Sequence, residues 1–318
     1  MIKKASILIC TCNRDRLLRQ ALESLKSLKV PEDIDLEVVV IDNNSTDNTP
    51  TVVEEFRECL PVRYVFENRP GKTNACNRAL QEASGDILFW TDDDVVVPPN
   101  WIHAMLQCHQ QFQAEIVYGK VVPRWESKPP AWFTPAFNGR FALLDHGPVS
   151  RLTSHEVGFG VNYSVFSDTM KRIGMFRTDL GPRQIGDGKL QSNKMTAGGG
   201  EDTDLFERAY SLGIPVAYCA TESMQHVIPQ ARCEKNFYRS RSWYASEQYY
   251  LRISETPDIP KLFGVPRFLH RRALGELFHY LKAILTFQKG EAFLYELRLI
   301  EYVGIMNIAW KRYRRPSR

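Results

Sequence analysis

Apolar and polar positions along the first 120 residues follow a repeating pattern. A short run of consecutive apolar residues gives way to a longer stretch in which they recur every three or four positions. Residues 5–10 read as a strand. Residues 14–28 read as a helix whose apolar face is Leu17, Leu18, Ala21, Leu22, Leu25 and Leu28. Residues 36–41 form a second strand, closed by the turn and cap formers Asp42-Asn43-Asn44-Ser45. A helix over 49–60, a strand over 62–66, a helix over 72–83 and a strand over 86–91 continue the alternation. Strands this apolar must be covered on both faces, which predicts an α/β fold with an open, mostly parallel sheet. Right-handed crossovers then leave ligands at the carboxyl ends of the strands.

Past Pro98 the alternation loosens. Residues 115–122 and 155–165 predict strands around an irregular stretch, 123–148, rich in proline and aromatics. The glycine-rich, polar segment 178–200 predicts a mobile loop. A helix is expected over 201–212 and a strand over 215–220, and beyond Cys233 the pattern is helical without a strand. The expected organisation is an α/β domain over 1–231, with halves 1–122 and 123–231, and a helical C-terminal extension over 232–318.

Composition narrows the class. With 43% hydrophobic and 25% charged residues, wholesale disorder is excluded. No apolar run approaches the ~20 residues that a spanning helix needs. Behind the basic Met1-Ile2-Lys3-Lys4 the apolar run stops at Cys10, too short for a secretory signal, so a cytoplasmic chain is expected. The seven cysteines are odd in number and contain no CxxC pair, which fits neither a disulfide framework nor a zinc site. The net charge of +4 is unevenly spread: −5 over residues 1–231 and +9 over 232–318. Such a tail either meets an anionic partner or is a solvated face.

Three segments carry candidate chemistry. Asp92-Asp93-Asp94 directly follows the apolar strand Ile87-Leu88-Phe89-Trp90. Crowded carboxylates at a strand end repel one another unless a cation joins them, and hard ions such as Mg²⁺ or Mn²⁺ complete their shell with diphosphate oxygens. Gly198-Gly199-Gly200-Glu201-Asp202 lets backbone approach a ligand and sets two acids at a helix N-terminus, a position that capping alone also favours. His226 follows a strand; a lone histidine ordinarily makes a structural hydrogen bond, and gains meaning only as a ligand for the same metal.

Taken together, these residues resemble the family 2 glycosyltransferases, of the GT-A fold, over roughly residues 5–231. Ser6-Ile7-Leu8-Ile9-Cys10-Thr11-Cys12-Asn13-Arg14 resembles the opening strand and nucleotide loop, and Val39-Val40-Ile41-Asp42-Asn43-Asn44-Ser45-Thr46-Asp47 the second-strand signature. Arg69-Pro70-Gly71-Lys72-Thr73-Asn74-Ala75-Cys76-Asn77 resembles the segment beside the nucleotide. Asp92-Asp93-Asp94 stands in place of the DxD motif, and Gly200-Glu201-Asp202 resembles the ED motif that carries the base.

The resemblance implies a metal-dependent, inverting transferase that uses a nucleoside-diphosphate sugar. Thr11, Asn13, Arg14, Asp42, Lys72, Asn77, Asp92 and Asp93 would bind the donor. Asp94 and His226 would hold Mn²⁺ or Mg²⁺, and Asp202, aided by Glu201, would be the base. Within 1–231 the first half would then bind donor and the second acceptor. Trp125 and Trp132 offer aromatic faces for a sugar or lipid-linked acceptor, or serve as core. Arg241-Ser242-Trp243 only loosely resembles the QxxRW motif of processive synthases, so a non-processive enzyme is expected.

The stretches 268–287 and 292–310 have apolar faces flanked by Arg and Lys, ending in Lys311-Arg312-Tyr313-Arg314-Arg315. They predict helices that meet an anionic membrane surface, pack back on the protein, or form a homodimer. Without a nucleic-acid motif beside the basic tail, no nucleic acid is expected as partner. Two other classes also fit the Asp92–Asp94 cluster: a haloacid-dehalogenase-like phosphatase, which places such a motif on an earlier strand, and a nucleotidyltransferase, whose Gly-rich opening loop is absent at Thr11-Cys12-Asn13-Arg14.

Overall fold

The computed structural model describes residues 2–181, 200–254 and 259–314. Of these, 2–124, 139–181 and 200–228 form one compact unit, and 125–138, 229–254 and 259–314 form a second.

The first unit opens with three strand–helix pairs: β1 (Lys4–Thr11), α1 (Asp15–Leu25), β2 (Asp35–Asp42), α2 (Thr49–Glu55), β3 (Val62–Phe66) and α3 (Lys72–Glu82). There follow β4 (Ile87–Asp92), β5 (Val95–Val96), α4 (Trp101–Phe112), β6 (Ile116–Trp125), β7 (Arg151–Thr153), β8 (Tyr163–Phe166), α5 (Ser167–Ile173), α6 (Glu201–Ser211) and β9 (Val216–Ile228). The sheet runs β3-β2-β1-β4-β8-β6-β9-β5, with β7 on β9. β3, β2, β1 and β4 are mutually parallel, and β8 turns antiparallel against β4. Ile7, Leu8 and Ile9, Val38 to Ile41, and Ile87 to Trp90 are all buried, as strands covered on both faces require. Each such aliphatic side chain contributes about 1.5–3 kcal/mol by leaving water.

Strand order reverses between β1 and β4, the place where open α/β sheets bind ligands. Register aligns the strand ends there: Thr11 lies beside Asp42, and Cys10 beside Asp92.

The elements of this unit depart from the sequence pattern in four places. The strand expected over 155–165 shrinks to Tyr163–Phe166. Before it the backbone is wrapped rather than laddered: Asn162 donates to the Lys120 carbonyl and accepts from the Trp101 indole, and a Cβ on Gly158 would fall 2.6 Å from Tyr118 Cβ. The strand expected over 215–220 extends to Ile228 as β9, because β7 and β5 pair along it. Helix α4 was not foreshadowed. The helix expected over 49–60 ends at Glu55, where the backbone tightens into successive turns. Of the glycine-rich loop expected over 178–200, residues 182–199 lie outside the described residues.

The second unit holds α7 (Lys235–Ser254), β10 (Lys261–Leu262), β11 (Val265–Pro266), α8 (Arg267–Leu285) and α9 (Lys289–Arg314). The β10–β11 pair corrects the expectation of no strand beyond Cys233; Gly264, at φ 78°, makes the turn. Val265, Leu269, Ile305 and Ala309 form one buried cluster. No helix among the described residues is long and apolar enough to cross a membrane.

Candidate active site

Acidic side chains gather at the carboxyl ends of β1 and β4, and protein cations sit among them. Arg14, just past β1, reaches Asp93 at 2.5 Å and Asp94 at 2.8 Å. Thr11 Oγ1 donates to the other oxygen of Asp93 at 2.7 Å. Burial raises Asp93 to about 6, with Asp94 and Asp92 adding repulsion and Arg14 and Thr11 opposing it. Burial alone would lower Arg14, but Asp93 and Asp94 outweigh it and the guanidinium stays charged. Asp93 is thus turned inward and braces Arg14.

Asp94 has a second neighbour. His226 Nε2 lies 3.1 Å from Asp94 Oδ2, and both side chains are buried. They meet because β5 pairs with β9, setting Val95 beside His226, and because Val227 N–H donates to the Asp94 carbonyl. His226 Nδ1 lies 2.7 Å from the Phe141 carbonyl, an acceptor only. The Nδ1 hydrogen is thereby assigned, and Nε2 is aimed at Asp94. One carboxylate and one imidazole fit a hard divalent ion that takes most of its shell from diphosphate oxygens. Among the described residues no group of three or more His, Cys, Asp or Glu side chains converges in a metal-binding arrangement.

Lys72 joins the strand end to helix α6. Its Nζ lies 3.2 Å from Asp92 Oδ1 and 3.6 Å from Glu201 Oε1. Burial pulls Lys72 down, yet the attraction of Asp92, Glu201 and Asp202 outweighs it and holds the ammonium well above its ordinary range. Gly200 enters α6 at φ 97°, a conformation costly for any other residue, and sets Glu201 and Asp202 in the first turn. Asp202 Oδ2 accepts from the Gly160 amide at 2.9 Å. A Cβ on Gly160 would lie 3.0 Å from the carboxylate, a tight contact that glycine avoids. Burial, with the like charge of Glu201 next, pushes Asp202 up to about 7 against the pull of Lys72. A carboxylate poised there exchanges protons near neutrality.

Asp92, Lys72 and Asp202 line one small cleft with Cys10, Trp90 and Tyr163. The Trp90 and Tyr163 rings stack at 5.9 Å. Both are buried, and neither the indole N–H nor the hydroxyl finds a hydrogen-bond partner among the described residues. Leaving such groups unmet costs about 1–3 kcal/mol each, so they are suited to a polar ligand. The sequence pattern did not single out Trp90, Tyr163 or Gly160. Trp90 and Tyr163 read as ordinary strand aromatics, and only long-range pairing brings the three together.

Other expected site residues are placed differently. Asp42 is buried at the end of β2, where it accepts from the Ser45 amide and the Tyr64 hydroxyl. That leaves part of its acceptor capacity unused. Asn13 Oδ1 accepts from Thr46 N–H and holds the loop after β2. Asn77 is not brought to the cleft: its amide donates to and accepts from the backbone of Phe176, which lines the cleft. Trp125 packs edge-on against Phe133 in the second unit. Trp132 is buried there among Phe137, Tyr238 and Phe293, so its ring is core rather than an open face.

Residues 6–166 match the family model described as glycosyl transferase family 2. The succinoglycan biosynthesis protein ExoM of Rhizobium meliloti is 25% identical over 76% of this chain and 70% of its own length. A validoxylamine A glucosyltransferase of Streptomyces hygroscopicus is 29% identical over 66% of this chain, which spans about half of that relative (49%). A glucosyl-dolichyl phosphate glucuronosyltransferase of Haloferax volcanii is 23% identical over 60% of this chain and 61% of its own length. Among solved structures, the mannosyltransferase PcManGT of Pyrobaculum calidifontis, in complex with GDP-Man and Mn²⁺, is similar with a TM-score of 0.59. It is 18% identical over 100% of this chain and 88% of that one. S. aureus TarS 1–349 in complex with UDP-GlcNAc gives a TM-score of 0.52 at 15% identity, over 99% and 92%. These structures are GT-A glycosyltransferases, and this chain shares their fold.

Proposed function

This chain belongs to glycosyl transferase family 2, and from that premise we propose that it moves a sugar, with inversion, from a nucleoside-diphosphate sugar to an acceptor hydroxyl. One observation carries the reading: Lys72 bridges Asp92 at the strand end to Glu201 at the start of α6, and Asp92, Lys72 and Asp202 line one cleft. Asp202 takes the proton of the acceptor hydroxyl as its oxygen attacks the anomeric carbon, while the bond to the nucleoside diphosphate breaks and its electron pair leaves with the diphosphate. A base on the face opposite the leaving group gives inversion. Lys72 balances Asp92 and Glu201 so that three carboxylates share one site. Glu201 adds its like charge to the burial that raises Asp202.

Asp94 and His226 would hold Mn²⁺ or Mg²⁺, whose charge stabilises a departing diphosphate. Binding of Mn²⁺ with GDP-Man by the similar mannosyltransferase supports this. Asp42 would accept from the imino N–H of the base, which suits uracil, thymine or guanine, with UDP favoured. The acceptor is a glycan or lipid-linked hydroxyl in surface polysaccharide or glycolipid synthesis, and the +9 C-terminal region works at an anionic membrane face. Non-processive addition of one sugar, by halves 1–122 and 123–231 with 232–318 as extension, completes the reading.

A panel of UDP-glucose, UDP-N-acetylglucosamine and GDP-mannose against p-nitrophenyl phosphate, with and without Mn²⁺, tests it. Nucleoside diphosphate should be released from a nucleotide sugar and only with metal. Release of nitrophenol alone would restore the phosphatase reading.

A further inference from the structure

The two apolar C-terminal stretches end differently in the fold. In α9, Phe293, Leu297, Ile305 and Ala309 are buried within the second unit. In α8 only Leu269 and Ala283 are buried, while a whole face stands in solvent. Leu274 is 68% exposed, Phe278 66% and Leu285 78%, and Leu277, Leu281 and Ile284 are exposed beside them. At 100° per residue these six fall in a sector of about 120°, roughly opposite Leu269 and Ala283. Phe287, just past the helix, is 87% exposed and held at φ 57°, an uncommon backbone state for a bulky residue. Isolated exposed leucines need no explanation, but an unbroken stripe of six on one helix does.

The charges around the stripe say what covers it. Exposed Arg267, Arg271 and Lys282 lie along one edge of the same sector. Glu276 is the one acid of α8, and it is turned inward, 3.4 Å from Arg298 of α9. The exposed face is therefore apolar and cationic. In a two-fold pairing with a second copy, each basic edge would meet an identical surface that offers no acid. A bilayer with anionic headgroups satisfies both halves: apolar side chains enter the headgroup–acyl boundary, and Arg and Lys stems run up to the phosphates.

We propose that α8 is the membrane-docking element of this enzyme, lying flat on an anionic bilayer through Leu274, Phe278, Leu281 and Leu285 with Arg271 and Lys282 on lipid phosphates. The proposal rests on the membrane side of the proposed function and narrows its site from the whole basic extension to α8. Arg312 lies over the Tyr250 ring and Arg314 over Trp310, so part of the terminal charge is folded onto the protein.

Flotation of the full chain with vesicles of phosphatidylcholine and phosphatidylglycerol (1:1) at 0.1 M salt tests it. Wild type should float with these vesicles and stay down with pure phosphatidylcholine. Each Lys or Arg near an anionic leaflet adds roughly fivefold. Arg267→Gln/Arg271→Gln/Lys282→Gln should therefore bind about 100-fold more weakly, and Phe278→Ser/Leu281→Ser at least tenfold more weakly, with unchanged melting temperatures. Lys311→Gln/Arg312→Gln/Arg314→Gln should weaken binding less than the α8 charge variant. Undiminished flotation of both α8 variants, or none by wild type, would overturn the proposal. So would a wild-type dimer, by light scattering, that becomes monomeric in the serine variant while neither protein floats. Flotation is read without nucleotide, and release of UDP from UDP-glucose without vesicles, so a failed transferase reading would leave this result standing and the reverse.

Discussion

The carboxyl end of the sheet and the outer face of α8 break the ordinary inside-out rule in opposite directions. At the sheet, Asp93, Asp94, Glu201 and His226 are buried, with Trp90 and Tyr163 hiding polar atoms beside them. On α8, leucines and a phenylalanine face water. An average chain does neither, because buried charge and exposed apolar stripes both cost stability. On the readings proposed above, the unmet atoms of Trp90 and Tyr163 would answer to a polar ligand and the exposed stripe of α8 to a lipid surface. A buried polar group away from the cleft makes the control. His109, held between the Ala114 carbonyl and the Ser164 hydroxyl, is such a group.

The largest effect should come from the metal pair. Asp94→Asn keeps the shape of the side chain but loses the charge facing His226 and Arg14. Mn²⁺-dependent binding of UDP or GDP should fall at least ~100-fold by calorimetry, since even supporting residues of metal sites cost 10–100-fold. Undiminished nucleotide binding would remove Asp94 from the site.

Tyr163→Phe sharpens the contrast between unmet and satisfied groups. Losing a hydroxyl that has no partner among the described residues should leave the melting temperature unchanged or higher. Binding of the best nucleotide sugar should weaken about tenfold, while binding of its nucleoside diphosphate holds. A clear loss of stability would make that hydroxyl structural.

The pH profile comes next. Asp202 works ionised, so activity should rise with pH through about 7. Glu201→Gln removes a like charge and should move that limb down by about one unit. An unmoved limb would mean that another group controls it.

The smallest effect belongs to the control. Burial pushes His109 down to about 4 from 6.5. The unfolded chain therefore binds a proton first as pH falls below about 6.5, and stability should decline toward pH 4 by roughly 1–3 kcal/mol. Denaturant titrations of His109→Gln should show a flatter decline, with donor binding unaffected.

Much of this was legible in the sequence, and the divide follows sequence distance. The run from β1 to β4 announced itself because covered parallel strands are apolar without interruption, and Asp92-Asp93-Asp94 lies directly behind one of them. Gly200-Glu201-Asp202 was legible as a helix start. The joining of Asp94 to His226 was not expressed locally, since it depends on β5, a two-residue strand, pairing with a β9 that runs eight residues past the expected end. Lys72 as the bridge between Asp92 and Glu201, and Tyr163 beneath them, likewise depend on segments far apart in the chain. Whether Trp132 faces an acceptor or serves as core was not decided by the sequence, which does not show that Phe137, Tyr238 and Phe293 close over it. Helix α8 looked much like α9 until the fold showed which one is covered.

Asp202→Asn tests the central claim most directly, with donor affinity and turnover measured on the same preparation. The side chain keeps its shape and its acceptor for the Gly160 amide but can no longer take a proton. The account predicts donor binding within about twofold of wild type and turnover at least ~100-fold slower, the low end for a lost general base. Weaker donor binding with unchanged kcat would contradict it and make Asp202 a binding residue.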